Sequence, residues 1–202
     1  VLTYIISEGG VNPNINPVKA VVRVYCRSLD MNYFEELVKK VKNVALGAAK
    51  MIGAEVKFEQ HGPTYQAEVP NLTLTKLAHK NLLELGVEVE EPCETAKKTL
   101  DGRIAYSTDF GNVSRVIPCQ TTFIKIGPEG ETVLHTEKAV EATRSEEGHK
   151  GMIIGMKTLA LTGLDTIMNP ELARQAKQEL NEYRSKNFKH PYPTGEYPDY
   201  LA

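Results

Sequence analysis

The residue types that do metal or acid–base chemistry sit in this chain as five histidines and one polar loop. His61, His79, His135, His149 and His190 fall in no H-x-H or H-E-x-x-H spacing, so no helical zinc motif is present. His79 lies in a predicted surface helix and His190 in a Pro/Tyr-rich tail, and both read as solvated. His135 closes a short apolar run at residues 132–134, expected to be a strand. Strand ends beside loops are where ligands and catalytic groups collect, so His135 reads either as a metal ligand or as a turn histidine. His149, in the first turn of a long predicted helix, reads as a helix-end polar residue. The run Ser107-Thr108-Asp109-Phe110-Gly111-Asn112-Val113-Ser114 gathers hydroxyls, a carboxylate and an amide around one glycine. Such a loop presents N–H and hydroxyl donors to an anion or carbonyl oxygen, or is an Asx-type turn between two strands.

A second constellation is basic. In residues 18–27, Ala20, Val22, Val24 and Cys26 share one strand face by the period of two, and Lys19, Val21, Arg23, Tyr25 and Arg27 share the other. The first face is expected to be core. The second places Arg23 and Arg27 where a guanidinium fork can bind a carboxylate, or where cations are simply solvated. The acidic pairs Glu35-Glu36, Glu90-Glu91 and Glu146-Glu147 read as structural.

The elements that must position these residues follow from periodicity. Residues 1–7 read as a strand, broken by Gly9-Gly10 and a turn-rich stretch through Pro17. An amphipathic helix capped by Asp30 or Asn32 carries Phe34, Leu37, Val38, Val41, Ala45, Ala48 and Ile52, and ends at Gly53. Residues 55–59 read as a short strand, which makes residues 1–60 a sheet with a helix on one face. His61-Gly62-Pro63 marks a boundary. A helix over 72–85, a strand at 87–89, a basic loop at 91–103, strands around 104–107 and 113–126, and an exposed turn at 127–130 follow. Ser145 is expected to cap a long helix reaching Met168. Apolar residues cover most of its circumference, which predicts burial, and Gly148, Gly151 and Gly155 would let another segment approach closely. A charged helix runs from Pro170 to about residue 187.

Composition bounds the class. The 202 residues carry 24 Lys+Arg against 26 Asp+Glu, with 41% hydrophobic and 25% charged residues, the profile of a globular protein of one or two domains. The near-neutral balance argues against a nucleic-acid partner. No run of about 18 apolar residues suggests a membrane span. Cys26, Cys93 and Cys119 are odd in number and lack C-x-x-C spacing, which fits a reducing compartment, most simply the cytoplasm. The absence of an initiator Met and a start inside a strand-like run lead us to expect a chain cut from a longer one.

Several signals recur in one order. Gly9-Gly10-x-x-x-Asn14-x-x-Pro17 precedes a strand closing at Arg27. Ser107-Thr108-Asp109-x-Gly111-Asn112-Val113-Ser114 comes next, then His135-Thr136, then a helix rich in small residues. This order resembles the C-terminal part of the aminoacylase/carboxypeptidase-like di-zinc metallopeptidases. The branch it resembles is that of the amidohydrolases and dipeptidases, including p-aminobenzoyl-glutamate hydrolase and the β-alanyl-lysine or Xaa-Arg dipeptidases.

The resemblance implies an α/β chain. Residues 1–60 would be the later part of a ferredoxin-like lid that forms a homodimer, and residues 61–202 the C-terminal half of a zinc-peptidase catalytic domain. It implies that His135 is the last zinc ligand, that Asn14 and Arg27 grip the substrate's carboxylate end, and that Thr108 and Asp109 line the pocket. In the complete protein two zinc ions about 3.5–4 Å apart would activate a bridging water, a Glu would move its proton, and lid closure would orient a dipeptide or N-acyl amino acid. The family's H-x-D pair, bridging carboxylate, Glu-Glu with its general base, and lid histidine match nothing here. The chain alone is therefore expected to be inactive. The competing class is non-catalytic: a dimerisation module or a degenerate relative. Nucleotide binding lacks a phosphate loop, since neither G-x-x-x-x-G-K nor G-x-G-x-x-G occurs.

Overall fold

In a computed structural model, residues 1–91, 107–128 and 130–187 are described. The predicted strand at 104–106, most of the basic loop, Cys93, His190 and the Pro/Tyr-rich tail lie outside them. The chain mixes helices with a small antiparallel sheet and divides into two compact units, one containing Val1–Ala67 and the other lying within Glu68–Pro191.

In the first unit, β1 (Leu2–Glu8) pairs antiparallel with β2 (Val21–Cys26). The register sets Thr3 opposite Tyr25 and Ile5 opposite Arg23, with an irregularity between Ile6 and Glu8. Helix α1 (Met31–Ile52) begins where expected, because Asp30 accepts hydrogen bonds from the Asn32 N–H at 2.8 Å and the Tyr33 N–H at 3.3 Å. It ends at Gly53, whose φ of 69° is the left-handed conformation that favours glycine.

Two expectations for this unit fail. The strand face expected as core is only partly covered, with Val22 53% and Val24 40% exposed. A single helix resting against β2 is too narrow to seal a two-stranded ribbon, which has little independent stability. Residues 55–59 form no strand, because among the described residues they have no ladder partner. One side-chain contact holds them to α1, Lys42 lying 5.5 Å from the Phe58 ring centroid, and within the segment Lys57 pairs with Glu59 at 2.9 Å.

The second unit is built on α2 (Leu72–Glu84), α3 (Phe110–Ser114), α4 (Glu137–Thr143), α5 (Glu146–Met168) and α6 (Pro170–Asn187). Its core is Val69, Leu77, Ala78, Leu82, Ala176 and Leu180. The N-terminus of α2 is capped twice. Asn71 accepts from the Leu74 N–H at 3.1 Å and donates to the Ala176 carbonyl on α6 at 2.9 Å. Glu179 of α6 accepts from the N–H groups of Leu72 at 2.5 Å and Thr73 at 3.0 Å, and from the Thr73 hydroxyl at 3.0 Å. Asn81, 1% exposed, donates to Thr162 and Asp165 of α5 at 3.2 and 3.1 Å. The strand expected at 87–89 is the tail of a helix stop: Gly86 at φ 75° donates to the Leu83 carbonyl and Val87 to that of Leu82, closing α2.

Helix α5 starts at Ser145, whose hydroxyl accepts from the Gly148 N–H at 3.0 Å, and reaches Met168 as expected. Gly151 and Gly155 admit the extended segment 124–126. A Cβ on Gly151 would lie 2.7 Å from the Lys125 carbonyl oxygen, and one on Gly155 would touch Ile124. At Gly148 the close neighbours are the carbonyls of Ala142 and Thr143. The expectation that α5 is buried is overturned, since Leu159 is 70% and Ile167 77% exposed. Its described neighbours α2, α4, α6 and segment 124–126 leave the rest of its apolar circumference uncovered. By length and hydropathy α5 is also apolar enough to cross a bilayer, contrary to the expectation that no segment qualifies. The side-chain bonds from Asn81 to Thr162 and Asp165, and the backbone seated on Gly151, are those of a helix docked on protein.

Gly151→Ala should lower stability by about 1–3 kcal/mol, because the added methyl meets backbone that must move. Asn71→Ala should cost about 1–2 kcal/mol through the lost cap and the lost bond to the Ala176 carbonyl. Urea unfolding of both variants beside Gly47→Ala, where a Cβ meets nothing within 4 Å, checks this. Equal midpoints for Gly151→Ala and Gly47→Ala would refute the close approach.

Candidate functional site

The residues singled out in the sequence fall in both units. In the first, Asn14 lies on the exposed turn between β1 and β2. Arg27 stands just past the end of β2, where its N–H donates to the Val1 carbonyl at 2.9 Å and its carbonyl accepts from the Val1 amino group at 2.7 Å. Its backbone is thus fixed by the sheet while its side chain is exposed. The guanidinium carbon lies 5.8 Å from the Tyr25 ring centroid, a cation–π distance.

In the second unit, the Thr108–Asp109 loop opens the short helix α3 and does not join two strands. The Thr108 hydroxyl accepts from the Phe110 N–H at 3.2 Å and donates to the Asp109 carboxylate at 3.4 Å. This leaves Asp109 exposed and turned toward Thr108 rather than capping the helix. Buried Ser114, at the end of α3, donates to the Gly111 carbonyl at 2.7 Å and accepts from the Val69 N–H at 2.9 Å. That pair anchors the loop to the chain leading into α2. Sequence reasoning does not find Ser114 as a positioning residue, because nothing local signals a partner 45 positions away.

His135 does not end a strand. Residues 132–134 are turn and coil, because the Thr136 hydroxyl donates back to the Val133 carbonyl at 2.6 Å while accepting from the Ala139 N–H at 3.4 Å to cap α4. The turn histidine is the observed conformation. His135 has φ 64°, the single positive φ outside glycine among the described residues, and its side chain is exposed. A left-handed backbone at a non-glycine residue costs about 1–3 kcal/mol and concentrates at functional sites. Histidine adopts it more readily than bulky residues do.

The donor set can be weighed against a metal. Zinc needs three or four protein ligands. Among the described residues no three His, Cys, Asp or Glu side chains stand together. The described residues by themselves therefore do not fit a zinc ion. His149 is exposed in the first turn of α5, where Ser145 does the capping. On α2 the Nε2 of His79 is buried without a hydrogen-bond partner, so that histidine is not simply solvated as expected.

The chain is 33% identical over 176 residues to the Xaa-Arg dipeptidase of Homo sapiens and 34% identical over 177 to that of Mus musculus. It is 25% identical over 224 aligned positions to a p-aminobenzoyl-glutamate hydrolase chain of Escherichia coli (strain K12). Each match covers 87% of the chain. The chain spans 39% of either dipeptidase and 46% of the hydrolase. No protein-family model matches it.

The described thiols, Cys26 and Cys119, are poor nucleophiles. Burial, with the Glu68 charge adding to it, pushes the Cys119 thiol up to about 11, and its Sγ donates to the Ile117 carbonyl at 3.5 Å. Burial also raises Cys26, partly offset by the N-terminal ammonium. A thiol with its pKa raised stays protonated below that pKa and gains reactivity only as pH rises through it. At pH 8 Cys119 should alkylate about a hundredfold more slowly than free cysteine, with the rate climbing between about pH 10 and 11. Iodoacetamide labelling resolved by mass spectrometry measures this, and labelling of Cys119 at the free-cysteine rate at pH 8 would refute it.

Proposed function

We propose that this chain, which belongs to the amidohydrolase and dipeptidase branch shared by these relatives, is the lid-and-C-terminal portion of an enzyme that hydrolyses an amide in a small dipeptide-like or N-acyl amino acid substrate. The observation that carries the reading is His135, held left-handed at the position where the family resemblance puts its last zinc ligand. Thr136 and Ser145 cap the two helices that follow, so the backbone around His135 is set by local hydrogen bonds. In the complete protein the metal is proposed to be a pair of zinc ions, with His135 the ligand this chain contributes.

On this reading the chain's own residues bind and orient. Arg27, its backbone fixed at the end of β2 and its guanidinium beside Tyr25, offers two N–H donors to a substrate carboxylate. Asn14 would add an amide donor from the preceding turn. The Thr108–Asp109 loop, anchored through Ser114, would line the pocket. The relatives' names bracket the substrate: one class is named for peptides ending in Arg, the other for an acyl-glutamate. Residues 28–60 are proposed as the homodimer surface, because α1 leaves large apolar side chains of its own exposed, Val44 at 73% and Met51 at 82%. The alternative of a non-catalytic dimerisation module is favoured by no specific observation.

Arg27→Ala in the complete enzyme should lower kcat/KM about ten- to hundredfold on carboxylate-bearing substrates. It should move Tm little, because an exposed side chain with no packing role changes stability by about 0.5 kcal/mol or less. Steady-state assays and melting curves on the two proteins, with the 202-residue chain as an expected inactive control, provide the test. Full activity in Arg27→Ala, or zinc-dependent turnover by the control, would contradict the proposal.

A further inference from the structure

We propose that the outer face of α5 is a docking face for the part of the complete protein that lies outside this chain. The inference rests on the reading above that the chain is a portion of a longer enzyme, and it names a surface through which the two parts join. Met152, Met156, Leu159, Gly163 and Ile167 recur at steps of three and four, so they form one stripe along the helix. From Met152 to Ile167 the stripe runs about 23 Å. Its large side chains are all exposed, Met152 at 62% and Met156 at 56%. No Asp, Glu, Lys or Arg stands on it. The residues that hold α5 to the second unit follow a separate line. Gly151 takes segment 124–126, Thr158 is buried, and Thr162 and Asp165 accept from Asn81.

Gly163 sharpens the inference. A glycine inside a helix is less stable than an alanine there. Gly151 and Gly155 have described residues seated against them, whereas a Cβ on Gly163 would meet nothing within 4 Å. The stripe thus carries a gap suited to a close approach that no described residue makes. Met152 and Met156 add flexible side chains that mould to whatever covers them. The occupant follows from length and chemistry. The chain spans 39% of either dipeptidase relative, so more than half of each lies outside the match. A contiguous apolar face without charge fits a dry contact with such a portion, since large patches of this kind mark surfaces that are covered in the working molecule. A bilayer is the poorer occupant, because it would have to admit Lys150, Lys157 and Asp165 of the same helix.

Methionine oxidation tests the cover without altering the sequence. Dilute hydrogen peroxide is applied to the folded 202-residue chain and to the complete protein, and sulfoxide at each methionine is followed by mass spectrometry. In the chain, Met152 and Met156 should oxidise at nearly the rate of free methionine. In the complete protein both should oxidise about tenfold more slowly. A second readout is the sign of one substitution. Gly163→Ala should raise the urea midpoint of the chain, where alanine favours helix and meets nothing, and lower that of the complete protein, where the methyl meets its neighbour. Equal oxidation rates in chain and complete protein, or a Gly163→Ala that raises both midpoints, overturns the inference. So does protection of Met152 and Met156 in the chain by itself as its concentration rises, which assigns the face to a second copy. Neither readout uses turnover. A complete protein with shielded methionines and no amide hydrolysis would overturn the proposed activity and leave this face assigned. An active enzyme in which both methionines oxidise freely would overturn this inference and leave the activity standing.

Discussion

The second unit depends on how the first turn of α2 is satisfied. A helix N-terminus leaves four N–H groups without intrahelical partners, and burying them unpaired is costly. Here Asn71, 2% exposed, and Glu179 take the N–H groups of residues 72–74 between them, and Asn71 also holds a carbonyl of α6. Glu179 adds a negative charge at the positive end of the helix dipole. The register of α6 on α2 is therefore fixed by polar geometry as well as by Leu77, Ala78, Ala176 and Leu180. Asn81 performs the same service toward α5.

From that frame the candidate site segments are positioned by single hydrogen bonds and close approaches. The chain leading into α2 carries Val69, whose N–H meets Ser114 and so sets the Thr108–Asp109 loop. Helix α5, held by Asn81, presents Gly151 and Gly155 to segment 124–126. Immediately before α4, Thr136 turns the chain so that His135 takes a left-handed backbone. What the two units share is incompleteness of cover. The ribbon of β1 and β2 and the outer face of α5 both leave large apolar side chains in water, which a finished domain avoids.

The helices are legible in the sequence because their signals are local. Asp30 and Gly53 bound α1, Ser145 and Asn169 bound α5, and each boundary is set by a side chain or φ angle within a few residues. The β1–β2 pair is legible from alternation. The segments 55–59, 87–89 and 132–134 mislead, because a strand exists only through a partner, and alternation over three to five residues cannot supply one. The burial of α5 misleads for a related reason: its apolar circumference describes what the helix can cover, not what covers it. Arg27 and His135 are visible as residue types. Their surroundings are not, since Tyr25 stacking and a left-handed φ are three-dimensional facts. Glu179 and Ser114 are invisible, each acting on a residue far away in sequence.

His135 is proposed as a metal ligand of the complete protein. The direct measurement is zinc content per chain, by elemental analysis of the complete protein and its His135→Ala variant, taken with dipeptide turnover and a melting curve. On that proposal the variant stays folded, loses about one zinc per chain and loses nearly all activity, the outcome of removing a ligand from a proposed two-metal site. A His135→Ala protein that keeps its full zinc complement and its activity would contradict it, and His135 would then be only a turn residue.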